Sequence, residues 1–238
     1  MADTICLLGD SVAKGIICTE PGGRYTHSPC AFLRRICEEA SLTLLDHARF
    51  GCTLSKAQAL AGRLSSEFAG SRATLILLGG NDCDYDWSAI AAAPAADHAC
   101  CTPLPVFESG YISLVSRIQK EGGRPVLLSM VPVLGRRYYR WITARYGEAG
   151  IREYLMHFEH IEHWNELYNL SLYRIAAACR VPLVDLRSAL LCRRDIGSFY
   201  CADGIHPNEA GHSLLYEHCR QPLLQAIAAQ PSLPRGTA

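Results

Sequence analysis

Ser11, Asp203 and His206 carry side chains that, brought together, can move an acyl group. Acyl transfer needs a hydroxyl nucleophile, a base for its proton, an acid that holds the base in the right tautomer, and N–H donors for the oxyanion. Ser11 is the candidate hydroxyl. His206 is the candidate base, because imidazole changes charge near neutral pH. Asp203 stands three residues earlier in Asp203-Gly204-Ile205-His206-Pro207, so one turn can hold the carboxylate against the ring. The expected oxyanion donors are the backbone N–H of Ser11, the backbone N–H of Gly51 and the side-chain amide of Asn81. Glycine at position 51 lets the main chain approach a substrate with no Cβ in the way. Singly, each has a plainer reading: Ser11 as a helix cap, Gly51 as a turn glycine, Asn81-Asp82 as a turn or cap. Four such blocks in this order, three of them at the ends of expected strands, are harder to explain that way.

The elements that must position these groups alternate between strand and helix. Thr4–Leu8 is an apolar run closed by Gly9, which reads as a buried strand ending in a tight turn. Ser11 then falls at the carboxyl end of that strand, the edge where open α/β sheets bind ligands. Gly9–Gly23 reads as loop and turn, and Ser28-Pro29 opens a helix. Leu42–Phe50 is the second expected strand, followed by Gly51 and a helix over Ser55–Phe68. Ala73–Leu78 is the third, closed by Gly79-Gly80-Asn81-Asp82. Ser88–Pro105 reads as a short helix and a loop, and Phe107–Lys120 as a helix. Pro125–Val131 is the fourth strand, and Val133–Gly150 the least regular stretch. Ile151–Cys179 reads as one long helix or two broken ones. Val181–Asp185 is the fifth strand, Gly197–Pro207 a loop, and Asn208–Ala229 the last helix. Uniformly apolar strands joined by helices predict βαβ units and a five-stranded parallel sheet covered on both faces. One domain is expected over residues 1–230, with a disordered tail over 231–238.

Composition narrows the function. The 238 residues are 49% hydrophobic and 19% charged, with 23 Lys+Arg against 23 Asp+Glu. A formal net charge of zero gives no pull toward nucleic acid or an acidic membrane surface. No apolar run approaches the roughly 20 residues of a membrane span, and no secretion signal is visible, so a cytoplasmic location is expected. Twelve cysteines without a Cys-x-x-Cys pair read mostly as small buried hydrophobes, with Cys100 and Cys101 as candidates for exposure. His157, His160 and His163 recur every third residue, but paired helical ligands prefer a spacing of four. A metal site is therefore not expected there. Arg136-Arg137-Tyr138-Tyr139-Arg140-Trp141 reads as part of a lid or interface. Asp10, Arg24, Tyr25 and Trp87 are the substrate-side candidates, while Asp10 and Asp82 also suit loop hydrogen bonding.

The order Gly9-Asp10-Ser11, Gly51, Gly79-Gly80-Asn81-Asp82, Asp203-Gly204-Ile205-His206 resembles that of the SGNH hydrolases, also called GDSL esterases and lipases. The likeness runs from residue 4 to the last helix, with Val12 where the family name has leucine. It implies a three-layer α/β/α sandwich, flavodoxin-like, with Ser11 as nucleophile, His206 as base, Asp203 orienting the histidine, and Ser11, Gly51 and Asn81 forming the oxyanion hole. It implies a serine esterase that forms an acyl-enzyme on a small-molecule ester without metal or cofactor. Small acetyl-like acyl groups are expected, on the reading that Val133–Gly150 narrows the cleft. Carbohydrate O-acetyl esters, small lipid esters and thioesters stay open as substrates. An acyltransferase using the same residues is one alternative. A non-catalytic flavodoxin-like binding module is another, although no Gly-x-Gly-x-x-Gly or P-loop follows the first strand.

Overall fold

The structure is a computed structural model that describes residues 3–18 and 24–231. Most of the expected tail, after Pro231, lies outside the described residues, as do residues 19–23 of the first loop. Five parallel strands form the central sheet: β1 (Thr4–Gly9), β4 (Thr43–Asp46), β5 (Ala73–Leu77), β6 (Pro125–Leu128) and β7 (Leu183–Val184). Their spatial order is β4-β1-β5-β6-β7. Counted along the chain, this is the 2-1-3-4-5 order of flavodoxin-like sheets, whose topological switch point lies between β1 and β5.

Strand alternation sends successive side chains into two cores. Ile5, Leu7, Leu75, Leu77 and Leu128 face α2 (Phe32–Glu39) and α11 (Glu209–Ala228). Cys6, Leu8, Ile76, Leu78 and Leu127 face α3 (Leu54–Ala61), α4 (Ser65–Gly70), α6 (Leu104–Lys120) and α9 (Glu159–Cys179). Because both faces are covered, the strands carry no polar face, which is why they read as unbroken apolar runs. A third, smaller cluster lies apart from the sheet. It joins Trp87 and Ile90 of α5 (Trp87–Ala92), Tyr138 and Ile142 of α7 (Gly135–Tyr146), and Ile151 and Leu155 of α8 (Ala149–Leu155).

Several expectations are corrected. Gly9–Gly23 is not loop throughout: α1 (Ser11–Lys14) follows β1 at once and stops at Gly15, whose φ of 75° suits glycine. Strand β2 (Ile16–Cys18) then pairs antiparallel with β3 (Tyr25–His27) in a separate two-stranded sheet. The second sheet strand ends at Asp46, and His47–Phe50 leads irregularly to Gly51. Ser55–Phe68 is two helices, because Gly62 caps the first of them. Val133–Gly150, expected to be irregular, holds the 12-residue α7. Its buried positions, Gly135, Tyr138 and Ile142, keep helical spacing beneath a charged and aromatic surface. Met156, at φ 59°, breaks α8 from α9, so the divided form of Ile151–Cys179 is the one found. A short α10 (Arg187–Leu191) follows β7. No helix among the described residues is long and apolar enough to cross a membrane.

His212, in the first turns of α11, is fully buried beside Phe32, its ring centroid 5.9 Å away. Neither ring nitrogen has a hydrogen-bond partner among the described residues. Burial, with a smaller push from His206, pulls its pKa down to about 4. Between pH 6.5 and 4 the unfolded chain therefore binds the proton more readily, so this group costs stability as pH falls. The cost between pH 7 and pH 5 is about 2 kcal/mol. In urea denaturation His212→Leu is expected to gain about that much on wild type at pH 5 relative to its difference at pH 7. An unchanged difference at the two pH values would contradict this.

Candidate active site

Three backbone hydrogen bonds align the loops at the carboxyl edge of the sheet. His47 N donates to Leu7 O (2.9 Å), Arg49 N to Gly9 O (3.0 Å) and Asp10 N to Leu77 O (3.1 Å). The loops after β1, β4 and β5 are thus fixed to one another before any side chain contributes. The Asp10 carboxylate caps α1 by accepting from Val12 N (2.9 Å) and Ala13 N (3.4 Å), which sets Ser11 in the first turn. Burial pushes the Asp10 carboxyl up to about 6 against the pull of those two N–H groups.

Ser11 Oγ lies 2.8 Å from His206 Nε2, and His206 Nδ1 lies 2.7 Å from Asp203 Oδ2. An ionised Asp203 takes the proton-bearing Nδ1, which leaves Nε2 to accept from the Ser11 hydroxyl. Asp203 is fully buried, and burial alone would raise its pKa. The His206 ring and the backbone N–H groups of His206 and Ile205, both 3.1 Å from Oδ1, outweigh it and hold the carboxyl below its ordinary value. Gly204 adopts φ 76° in this turn, where an added Cβ would stand 2.8 Å from Arg137 Cβ and 2.9 Å from Tyr138 N. The turn is pinned to the start of α7: Leu134 N donates to Gly204 O (2.9 Å), and Arg137 Nη1 to the carbonyls of Tyr200 and Cys201 (3.0 Å each).

The loops that carry Gly51 and Asn81 are locked together. Asn81 Nδ2 donates to Cys52 O (3.1 Å), and Asp82 accepts from Leu54 N (2.9 Å) and from Thr102 Oγ1 (2.6 Å). An amide nitrogen carries two N–H donors, so the second remains for a ligand. Gly51 adopts φ 65°, and a Cβ added there would touch nothing within 4 Å.

A cavity of about 390 Å³ opens beside Ser11. Ser11, His206, Asn81, Asp10 and Trp87 line it; Gly51 stands in the neighbouring loop, outside the lining. Arg24 is exposed and lines no part of the cavity. Tyr25 is also outside the lining. Its ring packs 5.3 Å from that of His206 and 4.9 Å from Phe50, whose own ring stacks on His206 at 6.0 Å. Phe50, 55% exposed, is a site residue that the sequence reading passed over; its signal was an aromatic directly before the candidate glycine. Asp84, Tyr85, Tyr154 and Trp164 were likewise passed over, whereas Tyr138 belongs to the run read as a lid or interface; all five line the cavity.

His157 lies in the break between α8 and α9, the rings of His160 and His163 lie 6.0 Å apart, and among the described residues the three form no cluster of candidate ligands. Among the described residues Cys6, His47 and Glu67 do bring ligand atoms within 4.8 Å of one another. There His47 Nε2 already lies 2.6 Å from Glu67 Oε2, and burial pushes the Cys6 thiol up to about 12, which keeps it protonated. No disulfide forms among the described residues; Cys101 is exposed while Cys100 is buried, its Sγ 2.8 Å from Tyr168 Oη.

The fold recurs in solved structures. A lipase/acylhydrolase from Enterococcus faecalis is 15% identical, with 97% of this chain and all of that chain covered, at a TM-score of 0.66. A variant of an acetyl-xylooligosaccharide esterase from Geobacillus is 16% identical over 98% of this chain and 97% of that one, at 0.63. The esterase EstA from a Pseudoalteromonas species, inhibited by monoethylphosphonate, is 15% identical over 94% and 99%, at 0.60. No curated protein matches the chain in sequence. The model of the GDSL-like lipase/acylhydrolase family matches residues 7–214, and so reaches from the strand before Ser11 to the helix after His206. The protein belongs to that family, and is a carboxylic ester hydrolase of the GDSL or SGNH type.

Proposed function

We propose that the protein is a serine esterase that works through an acyl-enzyme, with Ser11 as nucleophile, His206 as base and Asp203 as the residue that orients the histidine. The observation that carries this reading is the continuous path Asp203 Oδ2–His206–Ser11 Oγ, with contacts of 2.7 and 2.8 Å. His206 takes the hydroxyl proton as Ser11 Oγ attacks the ester carbonyl, and returns it to the departing alcohol. Water, deprotonated by the same imidazole, then releases the acyl group. The Ser11 N–H, the Gly51 N–H and the second Asn81 N–H are assigned to the oxyanion, and the Asn81–Cys52 bond supports this by fixing the amide in advance.

The ester has one small and one larger half. An acetyl-like group of three heavy atoms leaves most of a cavity of about 390 Å³ vacant, so the larger half is assigned to the cavity. The expectation that Val133–Gly150 narrows the cleft takes a different form. Val133 and Tyr138 from that stretch wall the cavity on one side. The fold resemblance to an acetyl-xylooligosaccharide esterase agrees with a small acyl group but does not choose the alcohol. Family membership sets aside the non-catalytic binding module.

Hydrolysis of p-nitrophenyl acetate by Ser11→Ala is expected to fall at least a thousandfold, with an unchanged circular dichroism spectrum. A variant as fast as wild type would end the proposal. A phosphonate ester is expected to add covalently to wild type and not to Ser11→Ala, as read by intact mass. Asn81→Ala is expected to lower kcat by about 10²–10³ with little change in KM. Asp203→Asn is expected to lower kcat by more than a hundredfold, because the amide favours the wrong histidine tautomer.

A further inference from the structure

We infer that the Asp84 side of the cavity is a cation subsite, an aromatic enclosure around a carboxylate that receives an alkylammonium group at the far end of the ester's larger half. Its place in a substrate rests on the esterase reading above; the binding of the cation does not.

The first observation is Asp84 itself. It lines the cavity, with Oδ1 accepting from Trp87 Nε1 (2.8 Å) and Oδ2 from Tyr138 Oη (2.7 Å). A carboxylate offers about four acceptor sites, so these two bonds orient the group without using it up. Among the described residues that line the cavity there is no lysine or arginine, and the imidazoles are those of His160 and His206. The Arg187 guanidinium, behind the wall, is committed to Glu166 (2.6 Å) and to Asn165 Oδ1 (2.8 Å). A charge set into protein without a counter-ion is costly, and an incoming cation offsets that cost. Burial accordingly pushes the Asp84 carboxyl up, in spite of its hydrogen bonds to Tyr138, Tyr85 and Trp87.

The second observation is the ring set around Tyr85, the next residue along the chain. Tyr85 has the rings of Trp87, Tyr154 and Trp164 at 5.5, 5.9 and 6.2 Å, tilted or edge-on rather than stacked, and all four line the cavity. Aromatic faces carry negative potential and attract cations, quaternary ammonium groups above all. The third is the contrast along the cavity. Val12 and Ile205, chain neighbours of Ser11 and His206, supply aliphatic wall beside Asp10 at the candidate nucleophile, whereas Asp84, Tyr85 and Trp87 stand together at the start of α5, with Leu155 and Ile161 among the other residues of the lining. An uncharged chain would be suited by aliphatic wall throughout and would leave Asp84 without a counter-ion.

The test has two arms. In the first, tetramethylammonium is titrated into Ser11→Ala while tryptophan fluorescence is followed, since Trp87 and Trp164 form the enclosure. Saturable quenching is expected, and at least a tenfold weaker response when Asp84→Asn is added. In the second, kcat/KM is compared for acetylcholine and for 3,3-dimethylbutyl acetate, which has carbon in place of the charged nitrogen. Wild type is expected to prefer the cation at least tenfold, and Asp84→Asn to bring the ratio near one. Should Asp84→Asn fail to fold, Tyr154→Leu replaces it, with a several-fold fall in the ratio expected. No quenching together with equal rates on the two esters would overturn the subsite and leave the esterase reading intact. Quenching without hydrolysis of either ester would uphold the subsite and count against the esterase.

Discussion

The fully buried Asp203 carboxylate is the constraint around which this end of the molecule is built. A buried carboxylate is tolerated only when donors surround it. Here the donors are two backbone N–H groups of its own turn, the ring of His206 and the Tyr25 hydroxyl. Satisfying the charge therefore fixes the turn, and the turn fixes the imidazole. The turn needs Gly204 in the left-handed region, and that glycine needs the first turn of α7 against it with no Cβ between. One electrostatic requirement thus reaches from Asp203 through Gly204 to Leu134 and Arg137.

Helix α7 has a double role. Its amino end braces the Asp203–His206 turn, while Tyr138, one turn along, walls the cavity and hydrogen-bonds Asp84. The same short helix couples the geometry of the imidazole to the shape of the cavity beside Ser11. Asp82 does something similar in the opposite wall, tying the start of α3 to the loop after β5. Neither Asp82 nor Arg137 need touch a substrate to matter. They hold together segments that are far apart in the chain.

What was legible in the sequence follows from how local each signal is. Apolar strands closed by glycine announce themselves within eight residues, and they placed Gly9, Gly51 and Gly79 at the sheet edge. Asp203 and His206 share a turn, so their partnership is a local property too. Helix α7 was hidden because its buried stripe is only Gly135, Tyr138 and Ile142, set among arginines and exposed rings. The hairpin β2–β3 was hidden because each strand has three residues, too few for a period to show. The cavity wall was hidden for a different reason. Tyr85, Tyr138, Tyr154 and Trp164 come from four segments, and only the folded chain brings them together. Arg24, chosen for its nearness in sequence to the first loop, points to the limit of such reasoning, since chain proximity does not specify direction.

The contact between Ser11 and His206 joins residues 195 positions apart. A chain still being synthesised can complete β1, its neighbours and much of one core while it holds the hydroxyl without the ring. The Ser11 hydroxyl therefore lacks its His206 partner on the ribosome until the segment that carries the ring emerges and settles onto the sheet. Any reactivity that depends on this pair is withheld from the nascent protein by the order of its own strands.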